Sequence, residues 1–181
     1  MKSTRRGKAK LIAVDGVDAA AVVAAAKAAL ASPSRGGISK WDASGVFQDL
    51  AVADRDAGSP SARTLLLLYA ADLAFRLRWQ IRPALAEGHT VVAAPYVATA
   101  VAFGRAAGLP LKWLANLFAF APHPNALVFV HASRDGRAAA GRDGFVGFVC
   151  NHVVGSEESG LRRRLIEGTA AHLKKADRRS K

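Results

Sequence analysis

The chain alternates short apolar runs with longer stretches of helical character, and this alternation restricts its fold more than any other feature. Residues 10–14, 91–94 and 126–131 are short and apolar, and they are bounded by Asp15-Gly16, Pro95 and Pro124-Asn125. Such runs read as buried strands, and residues 38–42 supply a further candidate. The intervening stretches are long enough for helices. Residues 19–31 are alanine-rich, with Asp18 as the expected N-cap and Ser32-Pro33 as the stop. Residues 44–52 predict a short helix and residues 55–62, with Gly58 and Pro60, a loop. Residues 97–107 and 111–120 predict two helices split by Gly108-Leu109-Pro110, and residues 156–175 a last one. Strands that alternate with helices predict an α/β fold, with a mainly parallel sheet flanked by helices on both faces.

The longest helical stretch is 61–87. Leu65, Leu68, Ala71, Phe75 and Trp79 recur there every three to four residues, the spacing of an apolar helix face that packs on a core. Pro83 predicts a kink or a break near its end, and Gly88 a C-cap. Residues 133–144, rich in Gly and Arg, read as a loop or a short helix. Residues 145–154 alternate only weakly and yield no assignment.

At 181 residues, 51% of them apolar, the chain is expected to form a single domain over 1–181. Its net charge of +12 concentrates towards the ends, which are expected to be basic and flexible at about 1–9 and 176–181. Charge of this kind attracts polyanions without reading sequence. The basic start followed by apolar residues imitates a secretory signal, but Asp15, Asp18 and Lys27 interrupt the apolar part. The longest apolar run, 64–75, is too short for a bilayer and contains Asp72. A cytoplasmic protein that does not enter a membrane is therefore expected. Cys150, the one cysteine, agrees, because it leaves no intrachain disulfide to form.

Several motifs share one resemblance. The segment Val14-Asp15-Gly16-Val17-Asp18-Ala19-Ala20-Ala21-Val22-Val23 resembles the phosphate loop of thymidylate kinases, which reads Glu-Gly-Ile-Asp-Gly-x-Gly-Lys-Ser. Leu66-Leu67-Leu68-Tyr69-Ala70-Ala71-Asp72 resembles the family's Leu-Leu-x-Phe-Ala-Ala-Asp-Arg helix, and Arg82-Pro83-Ala84-Leu85-Ala86-Glu87-Gly88 the segment that follows it. Val91-Val92-Ala93-Ala94-Pro95-Tyr96 stands where the family has a strand ending in Asp-Arg-Tyr. Phe120-Ala121-Pro122-His123-Pro124 and Arg164-Leu165-Ile166-Glu167-Gly168 also fit, in the family's order. The resemblance covers about residues 10–175. It implies a P-loop-kinase-like fold, here lacking the family's last strand and helix, and a possible homodimer, since the family commonly dimerises through its helices.

The departures from the family fall on its chemistry. Ala19 and Ala21 replace glycines, Val22 the lysine and Val23 the hydroxyl residue; Ala94 and Pro95 replace the strand-end acid and arginine. A phosphate loop needs glycines that let backbone N–H groups close around the phosphates. Its lysine neutralises charge and its hydroxyl helps to hold Mg²⁺. Losing one charge-assisted contact costs about 1.5–3 kcal/mol, and losing a transition-state donor about 2.7–4 kcal/mol. Two such losses imply a rate deficit of roughly 10⁴-fold or more. The resemblance therefore implies a pseudoenzyme that needs no cofactor and keeps a nucleotide-shaped cleft, with weak nucleotide or polyanion binding at most.

Within that cleft the resemblance implies Gly16, Asp18, Asp42, Tyr69, Asp72 and Tyr96 as nucleotide-binding residues. Tyr69 stands where an aromatic stacks on thymine, and Asp42 where the family has Arg-Glu-Pro-Gly-Gly; a turn or N-cap role suits Asp42 as well. Leu73 replaces an arginine that would contact the base, and Phe103-Gly104 replace Tyr-Gln. Two alternatives stay open. One is an active dTMP kinase that uses Mg-ATP, with Arg134, Arg137 and Arg142 of the lid region and Asp15 as catalytic candidates. The other is a basic, non-enzymatic nucleic-acid-binding protein. The five histidines are not spaced as a metal pair, no serine-hydrolase elbow is present, and the three scattered tryptophans are expected to pack in the core.

Overall fold

A computed structural model describes residues 9–30, 36–52, 60–131, 144–150 and 159–180. Four strands, β1 (Lys10–Gly16), β2 (Gly36–Lys40), β3 (Thr90–Ala94) and β4 (Ala126–Val130), form one sheet in the order β2-β3-β1-β4. Every pairing is parallel, with Leu11 beside Val91, Ala13 beside Leu127 and Ile38 beside Val92. The helices are α1 (Ala19–Leu30), α2 (Val46–Val52), α3 (Ala62–Arg76), α4 (Arg82–Ala86), α5 (Val97–Ala106), α6 (Leu111–Leu117), α7 (Phe145–Phe148) and α8 (Ser159–Ser180).

The period of two along each strand divides the apolar residues between two cores. Val14, Val92 and Ala94 pack with Val22 and Ala26 of α1 on one face. Leu11, Ala13, Val91 and Ala93 join the larger core on the other face, which includes residues of α3, α5, α6, α7 and α8. This is the parallel α/β arrangement expected from the sequence.

Several boundaries differ from expectation, each for a local reason. Strand β2 ends at Lys40, not at residue 42, because the chain turns after Trp41, where the N–H groups of Asp42 and Ser44 donate to the buried Asp72. Helix α2 starts at Val46, since the Asp42 carboxylate accepts from the N–H groups of Phe47 and Gln48. The expected kink at Pro83 is instead a π turn, Leu77–Ile81, that links α3 to α4. The Arg82 N–H reaches back five residues to the Leu77 carbonyl, and the wider turn accommodates a proline that would clash in an α-helix. Gly88 caps α4 with φ 84°; the N–H groups of Gly88 and His89 donate to Leu85 and Ala84, a Schellman ending. Helix α8 runs to Ser180 instead of ending at residue 175.

The face of α3 also differs. The helix buries Leu65, Leu66, Tyr69, Ala70 and Leu73, with Leu77 and Ile81 continuing beyond it. Of the row expected to face the core, Ala71, Phe75 and Trp79 are exposed. Two of the three tryptophans are half-buried and Trp79 is exposed, so they do not all pack in the core as expected.

Candidate functional site

The C-terminal ends of β1 and β3 lie side by side, the place where ligands commonly bind in open parallel sheets. Here the segment following β1 enters α1 directly. None of residues 15–23 adopts a positive φ, so the backbone does not wrap as a phosphate loop does. Some of the donors around this helix start are engaged within the chain. Asp18 caps α1, as its sequence position predicted: its carboxylate accepts from the Ala21 N–H at 3.0 Å, and its carbonyl accepts from the Val22 N–H. The Gly16 N–H donates to the Thr99 hydroxyl. Gly16 is required for close approach, because a Cβ there would lie 2.8 Å from a Val22 methyl and 2.9 Å from Val130 Cβ.

Asp15 is fully buried. Its Oδ1 accepts from the backbone N–H groups of Tyr96 and Thr99 and from the Thr99 hydroxyl, at 2.8–3.0 Å. It therefore caps the N-terminus of α5 from the end of β1. Oδ2 has no hydrogen-bond partner among the described residues. Burial pushes the Asp15 carboxyl above its ordinary range, against the hydrogen bonds that favour the carboxylate.

A cavity of about 250 Å³ lies over this region. Val17, Val22, Val23, Ala94, Pro95 and Val146 contribute apolar wall; Lys40 and Thr99 are its main polar members. Part of the opening is closed by the chain itself. A Cβ on Gly144 would stand 2.8 Å from Ala19 Cβ, so the backbone at Gly144 rests directly on the segment that resembles a phosphate loop.

Beside it lies an aromatic cluster. Phe145 is buried, with ring centroids 4.7 Å from Tyr69, 5.1 Å from Phe103 and 5.7 Å from Phe47, all edge-on. Edge-to-face packing at these distances is favourable. Tyr69 is fully buried, and its hydroxyl donates to the Tyr96 carbonyl. Burial pushes the Tyr69 hydroxyl well above its ordinary range. The Tyr96 hydroxyl donates to the Pro122 carbonyl, and burial pushes it up to about 12.

Asp42 and Asp72, both assigned to the cleft by the resemblance, meet through the turn they stabilise. Asp72 is fully buried and accepts from the N–H groups of Asp42 and Ser44 and from the Ser44 hydroxyl. Asp42 adopts φ 58°, a conformation that Asp tolerates better than most residues. Burial raises its carboxyl. Arg76, also fully buried, lies 3.7 Å from Asp72 and donates to Ser39 Oγ, the Ser39 carbonyl and the Pro95 carbonyl. It thus joins the ends of β2 and β3.

Sequence reasoning missed Arg76, Thr99 and Phe145. The four-residue spacing of Asp72 and Arg76 on a helix was a usable signal for the first; Thr99 and Phe145 acquire their roles only through distant contacts. Arg134, Arg137 and Arg142 lie outside the described residues. Among the described residues, no group of three or more His, Cys, Asp or Glu side chains gathers as a metal site would need.

No protein-family model matches the chain. A stretch of 75 residues is 36% identical to the probable thymidylate kinase of Pyrococcus horikoshii, covering 41% of this chain and 37% of that protein. A stretch of 64 residues is 38% identical to the probable thymidylate kinase of Pyrococcus abyssi, covering 35% and 31%. The sequence match thus spans about a third of the length of these curated relatives. Among solved structures, thymidylate kinase from Ehrlichia chaffeensis is similar with a TM-score of 0.62, over 92% of this chain and 87% of that one, at 13% identity. At that identity the likeness is one of fold, and it is the P-loop-kinase-like fold expected from the motifs.

Proposed function

We propose that this chain, a divergent relative of the thymidylate kinases, is a pseudoenzyme whose nucleotide cleft is filled by its own residues 144–148 and whose role is structural or regulatory. The observation that carries this reading is the position of Phe145 against Tyr69 and Phe103, with Gly144 resting on Ala19. Tyr69, the aromatic that the resemblance assigns to base stacking, has its ring covered and its hydroxyl engaged.

Mg-ATP, which the resemblance implies for an active enzyme, does not fit the residues present. Val22 and Val23 offer neither a cation nor a hydroxyl, and Ala94 offers no carboxylate. Asp15 directs Oδ1 into the start of α5. The energetic losses estimated from the sequence thus coincide with a cleft whose remaining cavity, about 250 Å³, has a mostly apolar wall. The reading places the protein in the cytoplasm. The lone Cys150 supports this, and among the described residues no helix is long and apolar enough to cross a membrane.

The test is incubation of the purified protein with dTMP and Mg-ATP, following dTDP by chromatography beside an active thymidylate kinase. The expected outcome is no dTDP at high protein concentration, and no heat of ATP binding in a calorimeter. Turnover abolished by replacing Arg134, Arg137 and Arg142 would overturn the proposal and establish a kinase with a rearranged loop.

One observation favours a second reading. Helix α8 carries Lys174, Lys175, Arg178 and Arg179 exposed in its last turns, a cationic surface suited to nucleic acid. Oligonucleotide binding that falls steeply with salt and is lost on trimming both basic ends supports that reading; binding unchanged by trimming excludes it.

A further inference from the structure

The cavity at the ends of β1 and β3 keeps about 250 Å³ of space, and Val17, Val23, Ala94 and Val146 make much of its wall apolar. Its polar side chains among the described residues are Lys40, Trp41 and Thr99. The Thr99 hydroxyl is occupied, donating to Asp15 at 2.8 Å and accepting from the Gly16 N–H at 3.1 Å. Lys40 is exposed and, among the described residues, joins no carboxylate in an ion pair. The Trp41 indole N–H is buried and has no acceptor among the described residues. Both unengaged side-chain groups of the wall are therefore donors, and no described carboxylate lines it.

Size and charge together select a ligand class. Ligand pockets usually measure about 300–1,000 Å³, so this one suits a molecule smaller than a nucleotide. An apolar cavity of about 150 Å³ accepts a benzene ring, which leaves room here for a ring and a few further atoms. Donors without acceptors call for a group that only accepts, and an ionised carboxylate is one. A phosphate dianion needs a cradle of backbone N–H groups or more than one cation. Lys40 is the one charged side chain in the described wall, and it balances a single negative charge.

We propose that this cavity binds a compact monocarboxylate with an apolar ring or branched-alkyl body. The body lies among the valines, where burial stabilises it. The carboxylate stays at the mouth beside Lys40 and keeps part of its hydration, because a charge carried deeper would lose water without gaining a partner. The proposal rests on the reading of this cleft as one that takes no nucleotide.

The test titrates the full-length, ¹⁵N-labelled protein with 4-methylbenzoate and follows amide shifts by NMR. The neutral 4-methylbenzyl alcohol and the cationic 4-methylbenzylamine are the comparison ligands. Saturable shifts are expected at Val17, Val23 and Thr99, with the alcohol binding about threefold or more weaker, as an ion pair at a cavity mouth predicts. Lys40→Gln should lower the carboxylate to the level of the alcohol and leave the alcohol unchanged. Val23→Phe should fill the cavity and weaken all binding. Ala84→Leu, in a neighbouring groove that Lys40 also borders, should leave binding unchanged. Thermal transitions establish that each variant keeps its fold, and Lys40→Gln, at an exposed position, carries the test if Val23→Phe does not fold. Equal affinity for the three ligands, or shifts centred on Gln80 and Ala84, would overturn the proposal. Absence of saturable carboxylate binding in a protein that also binds neither dTMP nor Mg-ATP would overturn the proposal alone. Displacement of the carboxylate by dTMP or Mg-ATP would overturn both the proposal and the reading of the cleft.

Discussion

The ring of Phe145 meets that of Tyr69 edge-on at a centroid separation of 4.7 Å. Tyr69 stands on the helix that most resembles the thymidylate kinase motif, and Phe145 comes from a stretch whose sequence pattern predicted nothing. Their contact places both rings in the core. Replacing Phe145 with Ala should cost about 3–5 kcal/mol of stability, as expected for a buried phenylalanine. A urea titration measures the loss; under the function proposed above, the variant should also form no dTDP from dTMP and Mg-ATP.

Placing a lysine at position 22, where the resembling family has its loop lysine, should not confer binding of Mg-ATP. Val22 is buried on the inner side of α1 in the cluster with Val14 and Val92. Val22→Lys would place an unpaired cation among them, at a cost of about 3 kcal/mol or more. The expected result is a lower urea midpoint with no calorimetric signal for Mg-ATP. Binding of Mg-ATP by a variant of undiminished stability would contradict the packing described for α1.

Asp15 makes a prediction about pH. Burial holds its carboxyl above the ordinary 3.8 in the folded protein, so the folded state retains its proton at higher pH than the unfolded state does. The stability it contributes is fully present below about pH 4 and is lost as pH rises through the raised value. Asp15→Asn keeps an acceptor for the α5 N–H groups and removes the titration. Urea midpoints measured from pH 4 upward should therefore fall with pH more steeply in the parent than in the variant.

Asp72 and Arg76 should behave as one unit. Removing either partner leaves the other charge buried and should cost about 3–5 kcal/mol. Asp72→Asn combined with Arg76→Met should cost less than the sum of the two, with a coupling of about 0.5–3 kcal/mol in a denaturation cycle. Strict additivity would mean that the 3.7 Å approach carries no interaction energy.

Much of the fold was legible because its signals are local. The apolar runs became strands since a charge-free segment of that length is most cheaply buried in a parallel sheet. Asp18, Gly88 and Gly108 acted as punctuation through their own side chain or backbone freedom: the first caps α1, and the other two adopt φ 84° and 80°. The face of α3 was misread because leucines and alanines line more than one side of that helix. Periodicity alone cannot say which side meets the sheet, and Tyr69, Leu73 and Leu77 prevailed over Ala71, Phe75 and Trp79.

By itself the sequence determined the strands and helices of a parallel α/β fold, the kinase-like order of its motifs and the loss of the loop lysine and strand-end acid, because each is a property of neighbouring residues. Only the tertiary structure decided which distant side chains meet and where the buried polar groups point. Phe145 reaches Tyr69, Arg76 reaches Pro95 and Asp15 reaches Thr99 across long chain separations. Such contacts form where burial rewards them, and no local pattern encodes that reward.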